Sequence, residues 1–202
     1  MLRAVAIFDA SIVEARNLTA LHGYLTQSVR APYPFDDLLR SQVVYAVSAF
    51  DKLLHDLIRV GMVETYVGRR VPTDRYHSES ITIQFHGELL AATVPPKEYL
   101  FEQEIIRKLG RLSFQDPEKV AEGLSLIWDE KHKWAKVADA MGQKPDDVRT
   151  TLKLITGRRN AIVHESDMHP LTNVKTPITT TDCNDITDFL QLCGRTIGNL
   201  VT

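Results

Sequence analysis

The sequence is poor in cysteine, since Cys183 and Cys193 are the only two among 202 residues. Small secreted domains that rely on disulfides need a larger set, so that class of protein is excluded. The two cysteines lie ten positions apart in a segment with helical spacing, which is typical of buried thiols. We therefore predict a protein of the reduced, cytoplasmic environment.

Long apolar runs are also missing. The N-terminal stretch MLRAVAIFDASIVEARN is interrupted by Asp9 and Glu14, and no later run is longer than a few residues. A membrane-spanning helix needs about 20 mostly apolar residues, and a secretory signal needs an uninterrupted apolar centre. We therefore expect neither a signal peptide nor a membrane partner.

An excess of positive charge is the third absence. The chain has 24 lysines and arginines against 26 acidic residues, a formal net charge of −2. Any nucleic-acid site must then be a local basic patch, because the molecule as a whole does not attract polyanions. The apolar content of 44% is ordinary for a globular protein. We predict one domain over residues 1–202, with an N-terminal helix and linker over 1–35 and a core over 36–202.

Apolar residues at intervals of three and four predict helices along most of the chain, and the pattern is strongest between Leu39 and Met62. Pro32 and Pro34 separate the first two helices, and Asp36 or Asp37 is placed to cap the second. The predicted helices cover residues 2–29, 38–67, 98–110, 117–128, 132–141, about 145–166 and about 181–200. The predicted fold class is therefore all-α, a bundle of long helices with 37–67 and 146–166 as its central pair.

Residues 68–97 lack the helical pattern and are predicted to form an irregular insertion. Within them ITIQF alternates and predicts a short strand, and Pro95–Pro96 ends the stretch. A structureless connection of this length is usually functional or flexible. Its arginines are open to two interpretations, RNA contact or a solvated loop: Arg69, Arg70 and Arg75.

The stretch TGRRNAIVHESD, residues 156–167, carries a candidate site. On a helix, Arg159 falls in the middle of an apolar stripe that is formed by Val148, Leu152, Ile155 and Ile162. A buried charge is costly unless it is paired. Arg159 therefore has two interpretations. Its charge is buried in an ion pair or reaches solvent at the end of a snorkelling side chain, or the stripe is open to water and functional at this point.

Arg159 and His164 are five residues apart, which separates them by roughly 140° around an ideal helix. They do not converge on one straight helix. Either the helix is distorted near Gly157, or a second copy of the chain completes the site in a two-fold dimer.

These residue types suit the cleavage of RNA without a metal. His164 is of the residue type that can take or give the protons of the reaction, and Arg159 can stabilise the charged phosphoryl transition state. Asn160 can orient His164 or bind a phosphate oxygen. Upstream, Arg149, Lys153 and Arg158 add positive charge with no acid between 149 and 159, which predicts an RNA-binding face.

RRNAIVHESD resembles the Arg-x(4–6)-His signature of the HEPN superfamily, with the match at Arg159, Asn160 and His164. LLRSQVVYAVSAFDKLLHDLI is similar to the long early helix of that family, and the segment that leads into the signature is similar to the HEPN branch associated with RNA-repair and stress operons.

The resemblance implies an all-α fold and a homodimer with the two signatures at its interface. It also implies a metal-independent endoribonuclease that leaves a 2′,3′-cyclic phosphate and needs no cofactor. Such proteins often act as toxins or in phage defence, and a toxin implies an antitoxin or another operon partner. Some family members only bind RNA or serve as interaction modules, so a non-catalytic role stays open as an alternative.

Two further alternatives come from local motifs. VADAMGQKPDDV has helix-turn-helix spacing through Ala138, Gly142 and Val148, and such a unit would present the following helix to DNA. A tight helix hairpin requires the same residue types.

The stretch HESDMH offers four potential metal ligands, which are His164, Glu165, Asp167 and His169. Its histidines are five positions apart rather than four, which places them on different helix faces. We therefore predict no metal site.

Overall fold

The computed structural model describes residues 1–202 and contains nine α-helices. They are α1 (Leu2–Ser28), α2 (Asp37–Tyr66), α3 (Asp74–His77), α4 (Ile83–Ala91), α5 (Lys97–Leu109), α6 (Pro117–Leu124), α7 (Lys133–Met141), α8 (Pro145–His164) and α9 (Thr180–Leu200). The only β-type pairing is an isolated bridge between Met168 and Lys175. The all-α prediction is confirmed. None of the nine helices combines the length and the apolar character that a membrane span requires.

Local signals account for where these helices begin. Thr179 and Asp182 form a reciprocal capping box at the start of α9, and Pro145 occupies the first turn of α8. The Asp116 side chain accepts a hydrogen bond from the backbone of Glu118 and so caps α6. Asp36 is the N-cap residue of α2, but its side chain makes no capping hydrogen bond.

The insertion at 68–97 is more ordered than predicted, because α3 and α4 lie within it. The predicted strand ITIQF is wrong: Thr82 caps α4 by accepting a hydrogen bond from the backbone of Phe85, and Ile83 is the first helical residue. Ile83 is 92% exposed. The alternating pattern therefore has neither a buried face nor a neighbouring strand to pair with, and the capping signal decides the local structure.

Helix α2 is the centre of the bundle. Phe50, Leu54, Leu57 and Ile58 are almost completely buried, and the helix contacts α1, α9, α5, α8 and α6. Its contacts with α1 and α9 are more extensive than those with α8. The prediction of α2 and α8 as the central pair is therefore correct only for α2.

Two glycines allow the close approach of helices in this core. A side chain on Gly194 of α9 would meet the ring of Phe8 at 2.6 Å, and one on Gly123 of α6 would meet the ring of Phe114 at 2.4 Å. Helix α1 thereby joins the same core as α2 and α9 through Phe8.

Both cysteines lie in α9 as buried free thiols. Burial raises the pKa of the Cys193 thiol to about 12, and it raises that of Cys183 to about 11. Both thiols therefore stay protonated at neutral pH and act as small apolar core residues, as predicted.

A buried ion cluster holds the loop after α8 against the bundle. The Asp167 carboxylate, which is fully buried, accepts hydrogen bonds from Arg40 Nε at 2.7 Å and from Arg158 Nη2 at 2.9 Å. Arg158 Nη1 also lies 2.9 Å from the second carboxylate oxygen, as an ionic contact without hydrogen-bond geometry. Arg40 further donates to the carbonyl of Thr176. Helix α2, helix α8 and both ends of the 165–177 loop therefore meet at one carboxylate.

We expect Asp167→Asn to lower the free energy of unfolding by about 3 kcal/mol, because two arginines then lose the charge that compensates them. Asp185→Asn is the matched control, since Asp185 is exposed in α9 and should change stability by less than about 0.5 kcal/mol. Urea unfolding followed by circular dichroism measures both variants. Equal stability of the two variants would contradict the role of Asp167.

Candidate functional site

Helix α8 carries the signature without a break. Val148, Leu152 and Ile155 are buried as the apolar stripe predicts, and helical hydrogen bonding continues through Gly157 to His164. Of the two alternatives for Arg159 and His164, a helix distorted near Gly157 is therefore wrong. No hydrogen bond joins Arg159 to His164, in agreement with their divergence on an ideal helix.

Arg159 is half-buried and has no carboxylate within ion-pair distance. Its Nη1 donates to the Asn160 side-chain oxygen at 3.0 Å, while its Nε is buried without a partner. The interpretation of Arg159 as a buried ion pair is therefore wrong. The Nη2 group makes no hydrogen bond within the protein, and a guanidinium with such a donor is suited to binding an anionic group.

The free donors of Arg159 belong to the wall of a large cleft. This cleft has a volume of about 980 Å³ and lies between α8, α6, the end of α5 and the loop that joins α5 to α6. Its volume is at the upper end of the range for small-molecule sites. Six cations line it: Arg75, Arg107, Lys108, Arg111, Lys119 and Arg159.

The α5–α6 loop is fixed from two sides. Asp51 of α2 accepts hydrogen bonds from the backbone N–H of Phe114 at 2.6 Å and from the Gln115 side chain at 3.3 Å. Thr156 of α8 donates its hydroxyl hydrogen to the Gln115 carbonyl at 2.9 Å. This loop, which lines the cleft together with Arg159, is therefore held by α2 and by α8, the helix that carries the signature.

The sequence pattern did not lead us to predict this wall. The run RKLGR, residues 107–111, could have indicated it, because three cations surround the glycine that ends α5. Nothing local showed that this run faces Arg159, because the two segments are about fifty residues apart in the chain.

His164 is exposed at the last position of α8, and its imidazole makes no hydrogen bond. Asn160 is also exposed, and its side-chain oxygen is occupied by Arg159 rather than by His164. The predicted orientation of His164 by Asn160 is therefore not present within one chain. Asn160 instead holds the Arg159 guanidinium.

The predicted RNA-binding cations have different surroundings. Arg158 is engaged by Asp167 and by the Thr176 and Pro177 carbonyls, so its guanidinium serves the buried cluster. Arg149 pairs with Glu118 at 2.8 Å across the α6–α8 contact. Lys153 is exposed and has no partner. Of the three, only Lys153 presents a free charge.

The candidate helix-turn-helix motif lies at the junction of α7 and α8. Gly142, with a φ of 67°, forms the left-handed turn between α7 and α8, and Ala138 and Val148 are buried beside it. This is the packing of a tight helix hairpin, and Arg149 on the second helix is already paired with Glu118.

In HESDMH, Asp167 turns inward to the arginines while His164, Glu165 and His169 are exposed. No three His, Cys, Asp or Glu side chains converge as metal ligands.

Apolar side chains are exposed on the segments that flank His164. They come from α2, from the last turn of α8 and from the 165–177 loop, and we refer to them as the signature patch: Tyr45, Val163, Met168, Leu171 and Val174. Leu171 is 87% exposed at the tip of the loop. Exposed apolar surface next to a charged site is typical of a place where another molecule binds.

The chain was compared with protein families and with individual proteins. The profile of the RiboL-PSP-HEPN family matches residues 10–202, which include α2, the cleft and the whole signature. Neither a curated protein nor a solved structure matches the chain. The all-α fold and the extent of the match lead to one conclusion: this protein belongs to the RiboL-PSP-HEPN family.

Proposed function

We propose that this protein is a metal-independent endoribonuclease in which Arg159 and His164 are the catalytic residues and Asn160 positions Arg159. The observation that carries the proposal is the arginine without an ion-pair partner in an open cleft, five residues before an exposed histidine on the same helix of a HEPN-family chain. Both side chains are accessible to a phosphodiester.

The chemistry needs one proton carrier and one fixed cation. The 2′-hydroxyl attacks the adjacent phosphorus while a base takes its proton, and the bond to the 5′-oxygen breaks as that oxygen receives a proton. The products are a 2′,3′-cyclic phosphate and a 5′-hydroxyl. His164 suits the proton transfers because imidazole exchanges protons near neutral pH. Arg159 suits the extra negative charge on the phosphoryl oxygens, because its guanidinium is charged and its Nη2 makes no hydrogen bond within the protein.

A second copy of the chain is part of this proposal. Arg159 and His164 diverge on an unbroken helix, so one chain alone does not bring both to one phosphate. A two-fold dimer through the signature patch would place His164 of one protomer near Arg159 of its partner and would cover exposed apolar surface. We therefore propose a homodimer with composite sites.

We further propose a toxin, or a stress or phage-defence effector, as the cellular role, with an antitoxin or another operon partner. A ribonuclease that needs no metal or cofactor is active wherever RNA is present, so the cell must restrain it. Without cleavage, the same cleft and signature would serve an RNA-binding or interaction module. Cleavage measurements on variants of the signature separate the ribonuclease from the non-catalytic module.

We expect His164→Ala and Arg159→Ala each to reduce RNA cleavage in the presence of EDTA by the order of a hundredfold or more. Arg159→Lys should lose most activity as well, because lysine keeps the charge but not the paired donors. Asn160→Ala should have a smaller effect, since it only positions Arg159. Cleavage of a mixed RNA pool, with the 2′,3′-cyclic phosphate ends identified, measures each variant.

Circular dichroism provides the folding control for these variants. A folded His164→Ala protein that cuts RNA as well as the wild type would show that His164 is not catalytic. Cleavage that depends on added magnesium would contradict the metal-free mechanism. RNA binding without any cleavage would favour the non-catalytic alternative.

We expect light scattering to give about twice the 22.8 kDa mass of one chain. Mixing the inactive Arg159→Ala and His164→Ala proteins should then restore about a quarter of wild-type activity, because half the dimers exchange into heterodimers with one intact composite site. Each protein incubated alone is the control. A strict monomer, or a mixture that stays inactive after proven subunit exchange, would contradict the composite site.

We expect induced expression of the wild-type chain in a bacterium to arrest growth, and His164→Ala at equal protein level to permit it. The reason is that uncontrolled cleavage of RNA stops protein synthesis. Colony counts after induction measure the effect. Equal growth with both proteins would contradict the role as a toxin.

A further inference from the structure

The charges of the cleft are unevenly paired. Its acidic residues are Asp51, Glu79, Asp116 and Glu122, and each has an internal partner. Glu79 accepts from Lys108, and Glu122 pairs with Lys119 at 3.0 Å. Asp51 holds the α5–α6 loop, and Asp116 caps α6. None of these carboxylates is left to neutralise the remaining cations.

Three arginines of the cleft have no ion pair. Arg107 pairs with Glu104 at 2.5 Å, whereas Arg75, Arg111 and Arg159 have no carboxylate within 4 Å. Arg75 comes from α3 in the insertion, and Arg111 follows the end of α5. Segments that are far apart in the chain therefore each supply one free guanidinium to the same cleft.

The side chains of Arg75 and Arg111 make no hydrogen bond to the protein, and both residues are exposed. Their donors are available for phosphate oxygens, which a guanidinium binds through two parallel hydrogen bonds. The lining of the cleft also includes the apolar residues Met62, Ile105 and Leu126, which a nucleobase could contact. Arginines with unpaired charges together with apolar residues suit a nucleic-acid strand whose bases are unpaired.

We propose that this cleft binds the single-stranded RNA segment next to the cleaved bond, with Arg111 and Arg75 on its phosphates. The inference rests on the proposed function, because Arg159 in the same cleft would hold the reacting phosphate. A volume of about 980 Å³ accommodates about two nucleotides and excludes a duplex. Arg111 and Arg75 are positioning residues: they select a single strand and lead it to Arg159.

Binding without cleavage tests this proposal. The protein carries His164→Ala so that the RNA stays intact, and the probe is a fluorescein-labelled single strand of about twelve nucleotides, followed by anisotropy in EDTA. Adding Arg111→Ala or Arg75→Ala should weaken binding about tenfold. Each should also lower the slope of log affinity against log salt by about 0.7, the value for one lost phosphate contact on a single strand.

Arg69→Ala is the matched control. Arg69 is an exposed arginine at the start of the insertion that does not line the cleft, so its loss changes net charge equally. We expect it to change affinity less than twofold. In the cleaving protein, Arg111→Ala should raise KM about tenfold and leave kcat nearly unchanged, because it removes binding rather than catalysis.

The outcomes separate this inference from the proposed function. Binding that depends on Arg111 and Arg75 in a protein that never cleaves RNA would support the cleft and overturn the ribonuclease. Cleavage with affinity insensitive to both arginines, or with losses equal to that of Arg69→Ala, would overturn the cleft. Binding of a duplex, or of AMP alone, as tightly as the single strand would also overturn it.

Discussion

The burial of α2 is the constraint on which the rest of the structure depends. Fifteen of its thirty residues are buried, and five other helices contact it. Two of its polar residues then extend from the core to opposite sides of the candidate site. Arg40 anchors Asp167 and the loop after the signature, while Asp51 anchors the α5–α6 loop that forms the far wall of the cleft. Core packing therefore determines the geometry of the surface at which we place the chemistry.

The distribution of carboxylates decides which arginines are available for function. The chain has slightly more acids than bases, so its electrostatic character is set locally. Arg40 and Arg158 surround Asp167, and their charge stabilises the end of α8. Arg159, the next residue after Arg158, lies on another helix face and has no carboxylate within the 4 Å of an ion pair. Neighbouring arginines thus have opposite roles, one in stability and the other available to an anionic ligand.

Seven of the nine helices were predictable because the causes of their bounds are local, whereas α3 and α4 were not predicted and α6 ends at Leu124 rather than at residue 128. Prolines, capping side chains and the spacing of apolar residues lie within a few positions of each helix end. The divergence of Arg159 and His164 also followed from the sequence, since five steps along an α-helix set the angle between them. The strand at ITIQF was a wrong prediction for the opposite reason. A strand needs a partner from elsewhere in the chain, and none is present.

The sequence by itself determined the all-α class, the HEPN signature and its place at the end of a helix. Tertiary structure decided which cations are paired, because the partners lie outside helix α8: Glu118 of α6 pairs with Arg149, and Asp167 of the following loop pairs with Arg158. It also decided that the insertion and the end of α5 line one cleft together with Arg159. Hydrogen bonding and periodicity within a helix act over a few residues, whereas charge pairing and cleft formation depend on distances that only the folded chain defines.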